Sequence, residues 1–290
     1  MKQPTTHTLN VPGVVLTYDI RRADSDKEPV LLMIGSPMGA AGFKTLSGYF
    51  NDRTVVTYDP RGVERSQRTD GAERSTVEEH ADDVHRIISD LAAGPVDLFA
   101  SSGGATNALA LVAKHPEQVR TLVAHEPPVA AILPDREHAL AAALDIHETY
   151  MRSGFGPGMA KFIALVSHKG PVTADYLKQP APDPSMYGLP GEDQGPRDDP
   201  LMGQNMVTST HYEPDFDALR AAPTRIVIAA GAESEGELAN RGAFAVAEGL
   251  GRKPVIFPSN HGGFLGGEYG QAGEPEAFAA KLREVLNGAK

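Results

Sequence analysis

The 290-residue chain contains no cysteine. That excludes a disulfide framework, a thiolate nucleophile, a cysteine-bound zinc and an iron–sulfur cluster, so any catalysis must use oxygen or imidazole. Basic residues form no extended run, and the formal net charge is −11. A nucleic-acid interface is therefore not expected, because phosphate binding needs clustered Lys and Arg. The opening Met-Lys-Gln-Pro-Thr-Thr-His lacks the apolar core of a secretory signal. Nowhere do about 18 apolar residues run together without a charge, so membrane contact is not expected and a cytoplasmic, soluble protein is. No internal repeat is visible.

Hydrophobic residues make up 41% of the chain and charged residues 22%, ordinary values for a globular protein able to bury a sheet on both faces. Pro29-Val-Leu-Leu-Met-Ile34 is continuously apolar and stops at Gly35, as expected of a strand inside a parallel sheet. Thr54-Val-Val-Thr-Tyr58, Val96-Asp-Leu-Phe-Ala100 and Thr121-Leu-Val-Ala124 repeat the pattern. Between the second and third runs, Ser75-Thr-Val-Glu78 reads as a capping box opening a helix with Val84, Ile87, Ile88 and Leu91 on one face. Ala105 to Lys114 reads as a second helix, ended by His115-Pro116. Strand and helix in alternation predict a doubly wound, mostly parallel α/β sheet.

The alternation breaks after Pro127-Pro128. Helical patterns follow near 135–152 and 157–167, then a stretch dense in Pro and Gly from Gln179 to Pro200. The α/β pattern resumes with Thr224-Arg-Ile-Val-Ile-Ala-Ala230, a helix near 236–249, the strand Pro254-Val-Ile-Phe257 and an amphipathic helix from Pro275 to Leu286. The expected organisation is an α/β core, residues 1–127 and 221–290, carrying a mainly helical cap or lid over 128–220. Gly154-Phe-Gly-Pro-Gly158 follows no strand and is read as a loop, not a nucleotide-binding turn.

Two residues stand out as reactive. The strand Val96–Ala100 runs into Ser101-Ser102-Gly103-Gly104 and then into a helix. This frames Ser102 with small residues two positions away on either side, as a sharp strand-to-helix turn presenting a nucleophile demands. Taking Ser101 instead would put Phe99 at the position two residues before it and spoil the frame. The same four residues would also serve as a plain βα loop. His261 follows the last strand and precedes Gly262-Gly263, a loop from which an imidazole could reach the sheet's carboxyl edge as a general base.

Val96-Asp-Leu-Phe-Ala-Ser-Ser-Gly-Gly, Tyr58-Asp-Pro-Arg-Gly-Val-Glu-Arg-Ser66 and Asn260-His-Gly-Gly-Phe264 resemble the nucleophile elbow, a post-strand turn and the histidine loop of the α/β-hydrolase superfamily, in the family's order turn, elbow, histidine. The resemblance covers residues 12–128 and 220–286. It implies Ser102 as nucleophile, His261 as base, and an oxyanion hole from the N–H groups of Gly103 and of Ser36, since Ile34-Gly35-Ser36-Pro37 stands where the family often has His-Gly-X-Pro. Asp59 is expected to fix its loop, not to touch substrate.

The family's usual acid ends a Gly-x-x-Asp turn, but here that turn reads Gly231-Ala-Glu-Ser234, leaving Glu233 and Glu235 as alternatives. A second acid position, at the end of the strand that follows the nucleophile's helix, occurs in lactonases resembling zearalenone hydrolase, and this chain has Ala124-His-Glu-Pro-Pro128 there. Glu126 is therefore the expected acid, with His125 as packing. The resemblance implies hydrolysis of a carboxylic ester or lactone through an acyl-enzyme, without metal or organic cofactor, on a small-molecule substrate, by a monomer or homodimer. Thioester, peroxide-forming or carbon–carbon cleaving chemistry, and a non-catalytic receptor on the same scaffold, are the alternatives.

Overall fold

The structure is a computed structural model and describes residues 3–23 and 28–288. Among them are nine strands: β1 (Thr5–Val11), β2 (Val14–Arg21), β3 (Leu31–Ile34), β4 (Val55–Asp59), β5 (Gln67–Arg68), β6 (Val96–Ser101), β7 (Val119–His125), β8 (Arg225–Gly231) and β9 (Val255–Phe257). The α-helices are α1 (Lys44–Gly48), α2 (Val77–Leu91), α3 (Gly103–Lys114), α4 (Arg136–Ser153), α5 (Phe155–Val166), α6 (Ala174–Leu177), α7 (Met206–Thr210), α8 (Phe216–Ala221), α9 (Leu238–Gly249) and α10 (Pro275–Leu286).

One sheet runs β1-β2-β4-β3-β6-β7-β8-β9, with β5 paired to β2. From β4 to β9 every pairing is parallel, and only β2 against β1, β4 and β5 is antiparallel. Both faces of the parallel part are covered, which is why its strands are mostly apolar. Leu32 and Ile34 of β3 pack into one core with Val84 and Ile87 of α2 and Leu109 of α3. Leu31 and Met33 face the other way, into a core with Leu46 of α1 and Phe278 and Leu282 of α10. The predicted doubly wound α/β fold is the observed one.

Three local differences have physical reasons. The hairpin β1–β2 was not read from the sequence: β1 is mostly exposed and lacks an apolar run, although Pro12-Gly13, with Gly13 at φ 80°, marks its turn. The capping box lies one residue later than expected. Thr76 Oγ accepts from the Glu79 N–H at 3.1 Å and the Glu79 carboxylate accepts from the Thr76 N–H at 2.8 Å, while Ser75 is buried and accepts from Arg68. The loop expected at Gly154–Gly158 is instead the first turn of α5 after Gly154 at φ 98°. A proline is tolerated in a first helical turn, where its missing N–H has no intrahelical acceptor to lose. A side chain at position 156 would sit 1.7 Å from the Pro190 carbonyl, so glycine lets α5 pack against that backbone.

Between β7 and β8 the chain leaves the sheet for α4 to α8, with a 3₁₀ turn at Pro184–Tyr187 and a π-helical turn at Pro200–Asn205 running into α7. This segment has its own small core, in which Ala142, Ile146 and Tyr150 of α4 meet Leu165, Met202 and Met206. Among the described residues, no helix is long and apolar enough to cross a membrane.

Candidate active site

Parallel sheets bind ligands beyond the carboxyl ends of their strands, where neighbouring connections depart in opposite directions. Here β3 lies between β4 and β6, and the chain leaves β3 toward one side and β6 toward the other. At that crevice the structure has a cavity of about 480 Å³ lined by Ser36, Ser102, Gly103 and His261, with Phe162, Leu165 and Met206 of the helical segment across from them. Its size and mainly apolar lining suit a small organic molecule.

Ser102 sits between β6 and α3 with φ 58° and ψ −130°, the only described residue of that turn at positive φ. Its N–H donates to the His125 carbonyl at 2.9 Å, pinning the turn to the neighbouring strand. A positive φ costs a residue with a Cβ on the order of 1–3 kcal/mol and persists only where the surroundings enforce it. Gly103 and Gly104 show that enforcement: a Cβ on Gly103 would lie 2.5 Å from the Ser36 carbonyl oxygen, and one on Gly104 would lie 2.7 Å from that of Ile34. The β3 loop and the first turn of α3 therefore touch backbone to backbone, which brings the Ser36 and Gly103 segments together beside Ser102.

Ser101, by contrast, is buried, and its hydroxyl is 3.1 Å from Nδ1 of His125. His125 itself is enclosed by Phe99, Phe257, Phe264 and Phe278. Burial pushes its imidazole down to about 4, so it stays neutral at ordinary pH.

The His261 ring stacks on His125 at 5.8 Å between centroids and turns Nδ1 toward Glu126, whose Oε2 is 2.7 Å away. Glu126 follows β7 at φ 49° and is fully buried. Its other oxygen accepts from the Gly231 N–H at 2.8 Å, from Asn240 Nδ2 at 3.1 Å and from the Ser234 hydroxyl. Burial alone would raise this carboxyl, but the hydrogen bonds from His261 and the Ser234 hydroxyl work against it and hold it far below the usual carboxylate range. An ionised carboxylate at this place fixes the ring and its tautomer: Nδ1 carries the proton and Nε2 is left to accept.

Glu233 and Glu235 are both exposed, and Glu233 is engaged by the Ser259 hydroxyl at 3.4 Å, so neither lies in the His261–Glu126 contact. Asp59 braces the loop after β3, accepting from the Ala40 N–H at 2.9 Å and from Arg65 Nε at 2.6 Å. Two residues of the site were missed from sequence. Ser234, noted only as a missing aspartate, and Asn240 both donate to Glu126. The serine at the vacated acid position was the available signal; for Asn240, inside α9, there was none.

Residues 28–193 match the α/β-hydrolase fold family. The uncharacterized hydrolase YraK of Bacillus subtilis is 32% identical over 265 residues, covering 89% of each chain. Among solved structures, a thermophilic esterase from Thermogutta terrifontis superposes with a TM-score of 0.66 at 19% identity, over 99% of both chains. The enol-lactonase from Burkholderia xenovorans gives 0.64 at 15% identity, over 97% of this chain and 100% of its own. With the elbow, the parallel sheet and more than half of its length matched, this chain belongs to the α/β-hydrolase fold family.

Proposed function

We propose that the protein hydrolyses a carboxylic ester or lactone, with Ser102 as nucleophile, His261 as general base and acid, and Glu126 as the triad's carboxylate. The observation that carries this reading is the 2.7 Å contact between His261 Nδ1 and the buried Glu126 carboxylate, with His261 and Ser102 both lining one cavity. Ser102 Oγ attacks the carbonyl carbon while its proton passes to Nε2 of His261. The resulting imidazolium is stabilised by ionised Glu126. The carbonyl oxygen, now negative, is held by the backbone N–H groups of Gly103 and Ser36; Pro37 cannot share this role, having no N–H. The intermediate collapses as His261 returns the proton to the departing alkoxide, releasing the alcohol or, for a lactone, leaving the opened chain attached as an acyl-enzyme. Water, deprotonated by the same imidazole, then frees the acid and restores Ser102.

In this reading the segment between β7 and β8 acts as the cap, since its helices α4, α5 and α7 contribute Ala143, Phe162, Leu165 and Met206 to the cavity's lining. An esterase and an enol-lactonase among the structural neighbours suit the ester-or-lactone class. A fluorophosphonate probe tests the core of the proposal: stoichiometric labelling at Ser102, located by peptide mass, is expected. An unlabelled Ser102 in folded protein overturns it and favours a receptor on this scaffold. A panel of simple esters, small lactones and macrocyclic lactones then separates the substrate classes.

A further inference from the structure

Among the described residues the cavity's lining carries a carboxylate and no Lys or Arg. Glu237, immediately before α9, lines it together with Leu238 and Ala239. Its backbone is used in the turn, with its N–H donating to the Ser234 carbonyl at 3.0 Å. Its side chain caps nothing on α9, and among the described residues it makes no ion pair or hydrogen bond. The carboxylate nevertheless lies within electrostatic reach of the site: burial and the charge of Glu126 push it up, while His261 and Lys169 pull the other way.

Most polar groups on the cavity's opposite wall are already engaged. Asn205 pairs with His80 Nε2 at 2.7 Å and donates to the Pro200 carbonyl at 2.8 Å. Thr210 donates to the Met206 carbonyl at 2.9 Å. The half-buried Glu237 is thus the cavity's free ionic group. A second anion brought beside it would meet a like charge that has no hydrogen-bonded partner, whereas an ammonium group would supply that partner.

We propose that Glu237 is a charge-selecting residue for the substrate, favouring neutral acyl compounds and above all those bearing an ammonium group, and rejecting those that carry a further carboxylate or phosphate. This rests on the reading that Ser102 reacts in this cavity. A different role, steadying the His261 imidazolium, would speed every substrate alike, so substrate ratios distinguish the two.

The experiment compares kcat/KM for three p-nitrophenyl esters of matched length whose acyl tails end in methyl, trimethylammonium or carboxylate. In the natural protein the ammonium ester should exceed the carboxylate ester by about tenfold or more, equivalent to about 1.4 kcal/mol, and added salt should shrink the ratio. Glu237→Gln should bring the ratio close to one, and Glu237→Lys should invert it. Each ratio is taken within one variant, so partial loss of folding cancels. A protein that cleaves none of the three or treats them alike, a ratio unmoved by both substitutions, or an equal fall on all three esters overturns the inference. Hydrolysis of the esters that survives in Ser102→Ala overturns the nucleophile reading instead.

Discussion

At the end of β6 a buried serine, Ser101, is followed by Ser102 at φ 58°; at the end of β7 a buried histidine, His125, is followed by Glu126 at φ 49°. The two strands are parallel neighbours with Ser101 opposite His125, and the buried pair is joined side chain to side chain at 3.1 Å. Both strand ends thus anchor one residue in the core and turn the next one sharply out of the strand. The outcomes differ because the surroundings differ. Beyond Ser102 there is a cavity, which Ser102 lines. Beyond Glu126 there are β8 and α9, which close over the carboxylate with three donors on one oxygen and leave the other for His261. One backbone device turns the proposed nucleophile toward a cavity in one place and buries the proposed acid in the next.

The sharpest way to break this comparison is at its open end. Ser102→Ala should lower kcat by about 10⁶-fold with an unchanged thermal unfolding profile, measured on whichever ester proves best. Substantial turnover would place the chemistry elsewhere.

At the closed end, Glu126→Gln should cost about 10⁴-fold in kcat, because the amide can no longer hold the imidazolium as an anion does. Glu233→Gln and Glu235→Gln should leave the rate near that of the natural protein, as both side chains are exposed. Losing one of the three donors in Ser234→Ala should have a smaller effect, roughly tenfold, in line with one hydrogen bond to a charged group. If Glu233 or Glu235, in the turn after β8, proves more costly than Glu126, the assignment of the acid is wrong.

Acid should loosen the buried anchors before it unfolds the rest. Burial lowers both His125 and His80 from 6.5 to about 4. In the unfolded chain these histidines take up protons below about 6.5, while in the folded protein they do not until about 4. The unfolded state therefore binds more protons in that window, and stability falls as pH falls through it. Glu126, depressed by its partners, adds to the loss at the acidic end. Urea midpoints measured from neutral pH down to pH 4 should decline steadily; a flat profile would show that the imidazoles are hydrated in solution.

Ser101→Ala is the smallest perturbation. It removes one hydrogen bond to a neutral imidazole and should cost about 1 kcal/mol of stability while leaving kcat essentially in place. A large loss of kcat would mean that the buried pair, and not the turn alone, sets the position of Ser102.

Much of this protein was legible as a string. Apolar runs such as Pro29–Ile34 and Val96–Ala100 point to strands buried on both faces, as in a parallel sheet covered by helices, and β3 lies within the first run while β6 covers the second and adds Ser101. The small residues around Ser102 point to a tight turn because larger ones would collide with the β3 loop, as the 2.5 Å approach at Gly103 demonstrates. Local chemistry misled where a neighbour in sequence could substitute for another: Ser75 and Thr76 are equally good caps, and the backbone chose Thr76.

What the sequence could not decide was partnership over long separations. Glu126, Ser234, Asn240 and His261 span 135 positions and meet only because β7, β8 and the loop after β9 end side by side. Nothing local tells Ser234 to donate to a carboxylate 108 positions earlier, and nothing local leaves Glu237 without a partner. Propensity and periodicity act within a turn or a strand, so the sequence by itself determined the sheet, the elbow and the candidates. Which carboxylate meets the imidazole, and which faces the cavity, depended on how the strand ends pack, and the tertiary structure alone decided it.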